Sequence, residues 1–186
     1  ELLDLDEIMT SGQRAYAAPE GEPVLVLHGL EGSSTVGYVT ETCERLLNAG
    51  LRPFALNMRT CGPSRITQAR SYHAGETEDL ETALAYIQSL TGHDELGAIG
   101  FSLGGNQLLK HLGARGDDSP IKAGVSISAP FHLAACSEHL SQGFNRLYTA
   151  IFLRSLKRKI KDNRDLLGRV CDVPTALEAR DLETFD

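Results

Sequence analysis

The five residues Gly100-Phe101-Ser102-Leu103-Gly104 restrict the fold more than any other stretch of this chain. They end the apolar run Gly97 to Phe101 and lead directly into a helical pattern from Leu103 to Leu112, so a strand must hand over to a helix within about one residue. So sharp a turn lifts its central residue off the backbone. A side chain at either flanking position would collide with neighbouring main chain, which the glycines at 100 and 104 avoid. The Ser102 hydroxyl is therefore carried above the sheet edge, at the start of a helix whose first amides favour negative charge. Ser102 is the candidate nucleophile, and the Leu103 N–H is a candidate donor to an oxyanion. Other glycine-rich turns are excluded by their neighbours. A phosphate loop needs Lys and then Ser or Thr where Asn106 and Gln107 stand, and no G-x-G-x-x-G occurs.

The rest of the chain supplies the sheet that such a turn requires. Val24 to Leu27 follows Pro23 as a continuous apolar run and stops at His28-Gly29, the pattern of a strand buried on both faces. Phe54 to Met58 and Ala123 to Ser128 read as further strands. Between them, Tyr38 to Asn48 reads as a helix with Gly50 just past its end. Glu76 to Leu90 reads as another, with Glu76, Glu78, Asp79 and Glu81 in its first turn, where the helix dipole favours acids. Strands alternating with helices predict the α/β class, a mostly parallel sheet with helices on both faces. After Pro130 the alternation stops, and residues 131–186 read as a helical lid attached to a core of residues 1–130. Within the lid, Leu147 to Lys161 is amphipathic and basic. A solvated basic face is the ordinary reading of it, and attraction of anionic lipid or another anionic ligand the sharper one.

Charge and cysteine usage narrow the function. A formal charge of −7 argues against binding of a nucleic-acid backbone and favours a small-molecule substrate. Cys43, Cys61, Cys136 and Cys171 are widely spaced, without a C-x-x-C pair or histidines at ligand spacing. They are expected to be reduced thiols rather than metal ligands, in a cytoplasmic setting. No run approaches the roughly 18–20 apolar residues that a membrane span needs.

A second loop complements the serine turn. His28-Gly29-Leu30-Glu31-Gly32 follows the Val24 to Leu27 strand, where the other oxyanion amide is expected, and Leu30 N–H is assigned that role with Gly29 as loop support. His28 is read as an organiser of the loop, because in this arrangement the base follows the serine in the order nucleophile, acid, histidine.

Four motifs then occur in order: His28-Gly29-Leu30-Glu31-Gly32-Ser33-Ser34; Asn57-Met58-Arg59-Thr60-Cys61-Gly62; Tyr72-His73-Ala74-Gly75-Glu76-Thr77 with Asp79-Leu80; and Gly100-Phe101-Ser102-Leu103-Gly104-Gly105-Asn106. Together they resemble the YheT-like hydrolases, the group that includes the ABHD1/ABHD3-type lipid hydrolases. The resemblance spans about residues 24–130 and continues more loosely to the end. It implies the α/β-hydrolase fold, incomplete here at its C-terminal side, and hydrolysis of short-chain or lipid-like carboxylic esters without metal or organic cofactor. It also implies that the acid and the histidine of the triad lie on strands after the lid, beyond Asp186. On that expectation the 186-residue stretch alone is nearly inert. Two rivals are weighed beside it: an acyltransferase that uses an alcohol in place of water, and a non-catalytic binding protein that retains the elbow as scaffold.

Overall fold

The computed structural model describes residues 4–7, 21–63 and 66–185. Five strands form one sheet in the order β1-β3-β2-β4-β5: β1 (Asp4–Glu7), β2 (Pro23–Leu27), β3 (Arg52–Asn57), β4 (Leu96–Phe101) and β5 (Ile121–Ile127). All neighbours are parallel except β1, which pairs antiparallel with β3 and places Asp4 opposite Asn57. Strand β1 has no counterpart in the sequence reading. Four residues of which three are acids carry too little apolar signal to register as a strand, and pairing along β3 supplies what the pattern lacks.

Helices α1 (Gly37–Asn48), α2 (Glu78–Thr91) and α3 (Leu103–Arg115) connect the parallel strands. Successive strand residues point to opposite faces, and the packing separates accordingly. Leu25, Leu27, Phe54, Leu56 and Ala98 meet Leu80, Leu84 and Ile87 of α2 and Leu108 of α3 on one face. Val26 and Ala55 meet Val39 and Cys43 of α1 on the other. The helices thus lie on both faces, and β2 and β3 are buried along their whole length. Burial also raises the Cys43 thiol pKa to about 11, so that cysteine packs as a small apolar side chain. Strand β5 differs. Val125 and Ile127 are exposed, and among the described residues its outer edge has no partner.

The helix read from Glu76 begins at Glu78 instead. The Glu76 side chain is buried and accepts the Glu78 N–H at 2.8 Å, so this acid satisfies an amide at the helix entrance from outside the helix. Gly50 and Gly92 follow α1 and α2 with φ of +79° and +73°, the left-handed geometry that ends a helix.

The chain divides into two compact units. The first gathers the described residues of 2–64 and 72–129 and holds the sheet. The second gathers those of 65–71 and 130–186, so a short stretch from within the sequence range of the core clusters with the C-terminal segment. This second unit contains α4 (Leu133–Leu140), α5 (Arg146–Asp162), α6 (Arg164–Leu167), α7 (Val173–Glu178) and α8 (Leu182–Phe185), and no strand among the described residues. Ile160, Leu167, Val173 and Ala176 form its core. No helix among the described residues is long and apolar enough to cross a membrane.

His111 of α3 is buried, with Nε2 3.1 Å from Ser119 Oγ and Nδ1 3.8 Å from Glu81 Oε1. Burial holds its imidazole below the ordinary histidine value of 6.5, against the smaller attraction of Glu81. The unfolded chain therefore takes up a proton near pH 6.5 and the folded protein only at lower pH. The stability conferred by the neutral ring is complete above that point and declines as pH falls through it. Melting temperature should fall between about pH 7 and pH 5, and His111→Gln should flatten that slope. Equal slopes for the two proteins would remove His111 from the account.

Candidate active site

Ser102 stands between β4 and α3 with φ +49° and ψ −114°, a conformation that L residues other than glycine rarely adopt. It is held at both ends of its peptide: its N–H donates to Ile127 O at 2.8 Å, and its carbonyl accepts the Asn106 N–H at 3.0 Å. Its side chain is exposed. The steric demands on the flanking glycines are severe. A Cβ at Gly100 would lie 2.5 Å from Gly104 O, and one at Gly104 would lie 2.5 Å from His28 O and 2.7 Å from Leu27 Cβ. Gly105 is equally confined, by Ser126 Oγ at 2.7 Å and Gly100 O at 2.9 Å. The first turn of α3 therefore rests directly on the end of β2, with no room for a methyl group between them.

This contact brings the 28–34 loop to the serine. A Cβ at Gly29 would approach Ser102 Cβ to 3.3 Å, so the two residues are neighbours. The side chains of Leu30 and Leu103 meet in one apolar cluster with Met58, Tyr72, Cys61 and Ala74. The loop's amides are accounted for almost one by one. Gly29 N–H donates to Tyr38 Oη at 2.9 Å, Glu31 N–H to Tyr72 Oη at 3.0 Å, Gly32 N–H to Gly29 O at 3.0 Å, and Ser34 N–H to Asn57 Oδ1 at 2.8 Å. Leu30 N–H and Leu103 N–H have no acceptor among the described residues.

His28 is buried beneath the loop. Its Nε2 accepts the Met58 N–H at 3.0 Å, which places the ring proton on Nδ1, where it is donated to Gly29 O at 2.7 Å. Both nitrogens are thus engaged in shaping backbone. Met58, read from sequence as the last residue of its strand, lies just beyond β3 and supplies this amide. Of the other histidines in this unit, His73 accepts the Gly75 N–H at 3.1 Å, His111 contacts Ser119, and neither they nor His93 bond to Ser102.

The remaining motifs act as supports. Asn57 Nδ2 donates to Asp6 Oδ2 at 3.0 Å and to Ser34 Oγ at 3.2 Å, joining β1, β3 and the loop. Arg59 pairs with Asp79 at 2.5 Å, both largely buried, and so ties the segment after β3 to the first turn of α2. Tyr72 receives the Glu31 amide and donates to Glu31 Oε1 at 2.7 Å, holding that residue at φ +57°. Gln107 and Lys110 of α3 donate to His73 O and Gly75 O at 3.0 and 2.6 Å. Sequence reasoning did not single out Tyr38, because an isolated tyrosine at a helix start carries no signal until the fold sets it over Gly29. Among the described residues no three of His, Cys, Asp and Glu gather where they could hold a metal ion.

The packing predicts a contrast between two glycines of one helix. Gly104→Ala forces backbone apart and should cost about 2–3 kcal/mol or more. Gly113→Ala meets nothing within 4 Å and should stabilise by about 0.5–1 kcal/mol. Urea unfolding of both variants checks this, and equal midpoints would contradict the close approach of α3 to β2.

Known proteins resemble this chain in sequence and fold. The E. coli (strain K12) protein YheT, which bears a provisional esterase name, is 39% identical over 158 residues, covering 84% of this chain and 46% of its own length. The phospholipase ABHD3 of Bos taurus is 30% identical over 186 residues, covering 99% of this chain and 45% of its own. The chain spans about half the length of these curated relatives. Among solved structures, the Pyrococcus furiosus esterase Pf2001 superposes with a TM-score of 0.59 at 22% identity, over 81% of this chain and 60% of that one, a likeness of fold. The sequence profile of the alpha/beta hydrolase fold matches residues 22–165, well over half of the chain. The chain belongs to the α/β-hydrolase fold family.

Proposed function

We propose that this chain is the nucleophile-bearing part of a serine hydrolase that cleaves carboxylic esters through an acyl-enzyme on Ser102. The reading is carried by one observation: Ser102 is held at φ +49° on a strand-to-helix turn, against a loop whose Leu30 amide is left without an acceptor. Ser102 Oγ attacks the ester carbonyl, the alcohol departs, and water releases the acid. The Leu30 and Leu103 amides stabilise the oxygen as it becomes negative. Gly100, Gly104, Gly29 and His28 keep the two amides and the hydroxyl in register. The base that takes the serine proton is assigned to the part of the relatives' length that this chain does not span, since His28 has both nitrogens committed and no histidine of the sheet unit is bonded to Ser102. The substrates are short-chain or lipid-like esters, and the phospholipase name of the Bos taurus relative supports the lipid-like class.

In the whole protein, a fluorophosphonate probe should label Ser102, and Ser102→Ala should abolish labelling and ester turnover alike. A label that survives the substitution, or that maps to Ser126 or Ser128, would overturn the assignment.

Tyr72→Phe removes the acceptor of the Glu31 N–H and loosens the loop that presents Leu30. It should lower kcat about tenfold to a hundredfold, less than the loss of a whole oxyanion donor, with KM little changed. Steady-state kinetics on an aryl ester read the split. An unchanged kcat would detach Tyr72 from the chemistry.

A further inference from the structure

Helix α5 buries Thr149, Leu153 and Ile160 along one side, and Ile160 enters the core of its unit. Its opposite side is a single exposed stripe of Leu147, Ile151, Arg154, Arg158 and Lys161, spaced four, three, four and three residues apart as a helical face requires. Tyr148 widens the stripe at its N-terminal end, and Phe144 extends it beyond the helix start at 79% exposure. The stripe is therefore graded, apolar over its first half and cationic over its second, across about 20 Å of helix.

The cations are unusual for this protein. Helix α5 holds six of them and one acid, whereas the chain as a whole carries −7. Lys157 turns inward and donates to Ala179 O at 2.5 Å. Among the described residues, Arg154, Arg158 and Lys161 have no ion-pair partner. In the sheet unit, by contrast, Arg45, Arg59 and Arg115 meet Glu41, Asp79 and Glu81.

An occupant of this face must accept four large apolar side chains and three cations at once. A protein partner would have to join an apolar groove to an acidic rim in this one order along the helix, a specific arrangement that nothing in this chain calls for. A bilayer containing anionic lipid satisfies both, because acyl chains take up the apolar residues while phosphate headgroups meet the guanidinium and ammonium groups. The acidic remainder of the chain would be repelled from such a surface, which favours approach by this face. We infer that the exposed stripe of α5 docks the protein onto an anionic lipid bilayer, with the helix lying in the plane of the interface. The inference does not depend on ester hydrolysis, and a catalytically dead Ser102→Ala protein would bind equally well.

These 186 residues contain no tryptophan, so Tyr148→Trp adds an indole to the stripe whose emission is read as the difference from the Tyr148 parent. With phosphatidylcholine vesicles containing about a third phosphatidylglycerol, the protein should sediment with the lipid and the emission of Tyr148→Trp should shift to the blue. Pure phosphatidylcholine should give neither result. Adding Arg154→Glu and Arg158→Glu should weaken binding about thirtyfold or more, with an unchanged melting temperature because both side chains are exposed. Salt at about 0.5 M should weaken it likewise. Three results would each overturn the inference: no binding to anionic vesicles, binding that the charge reversals leave intact, or a blue shift on concentration alone with dimers in light scattering, which would assign the stripe to a second copy. Tighter binding to a duplex oligonucleotide than to vesicles, lost in the same variant, would assign it to nucleic acid instead.

Discussion

The first turn of α3 touches the end of β2 with nothing between them but backbone, and the site depends on that approach. Helices and sheets ordinarily pack about 10 Å apart, with side chains filling the gap. Here Gly104 lies against His28 O and Leu27 Cβ, so the two segments carrying Ser102 and Leu30 are positioned by main-chain van der Waals contact. Side chains adjust by rotating about their bonds, and backbone in direct contact cannot. The relative placement of hydroxyl and amide is accordingly set by atoms with very little freedom.

Hydrogen bonds complete what packing begins. The loop after β2 has no regular structure to satisfy its amides, and each one so satisfied is a point of attachment. Tyr38 comes from α1, Tyr72 from the segment before α2, and Asn57 from the end of β3, so the loop is tied to three separate parts of the sheet unit. His28 adds a fourth tie from inside, through the Met58 amide. A loop fixed this widely has little freedom to rearrange, and it leaves Leu30's amide without an acceptor among the described residues.

The sequence reading reached the elements whose signals are local. Continuous apolar runs gave β2 and β4, and the glycines at 100 and 104 gave the turn, because steric exclusion of a side chain is written in the residue itself. The motif around Tyr72 was visible as a pattern, but its purpose was not. A tyrosine that reaches across 41 residues to hold Glu31 has no trace in local periodicity. Strand β1 was missed because its stability comes from its neighbour β3, and the start of α2 was placed two residues early because Glu76 serves that helix from outside it. The exposed side of α5 was legible as amphipathic. Only the structure separates Lys157, which is spent on Ala179, from the cations that remain outward.

Ser102 bears a backbone conformation that costs an L residue about 1–3 kcal/mol, and glycine would occupy it with little penalty. The fold as such therefore gains stability when glycine replaces the serine, because the hydroxyl goes with the Cβ that causes the strain. Any search for hardier variants that scores only heat or denaturant resistance will be drawn to this position and will return a sturdier molecule with nothing to react. Screens on this scaffold thus need a readout of the serine itself, since here durability and chemistry pull a single side chain in opposite directions.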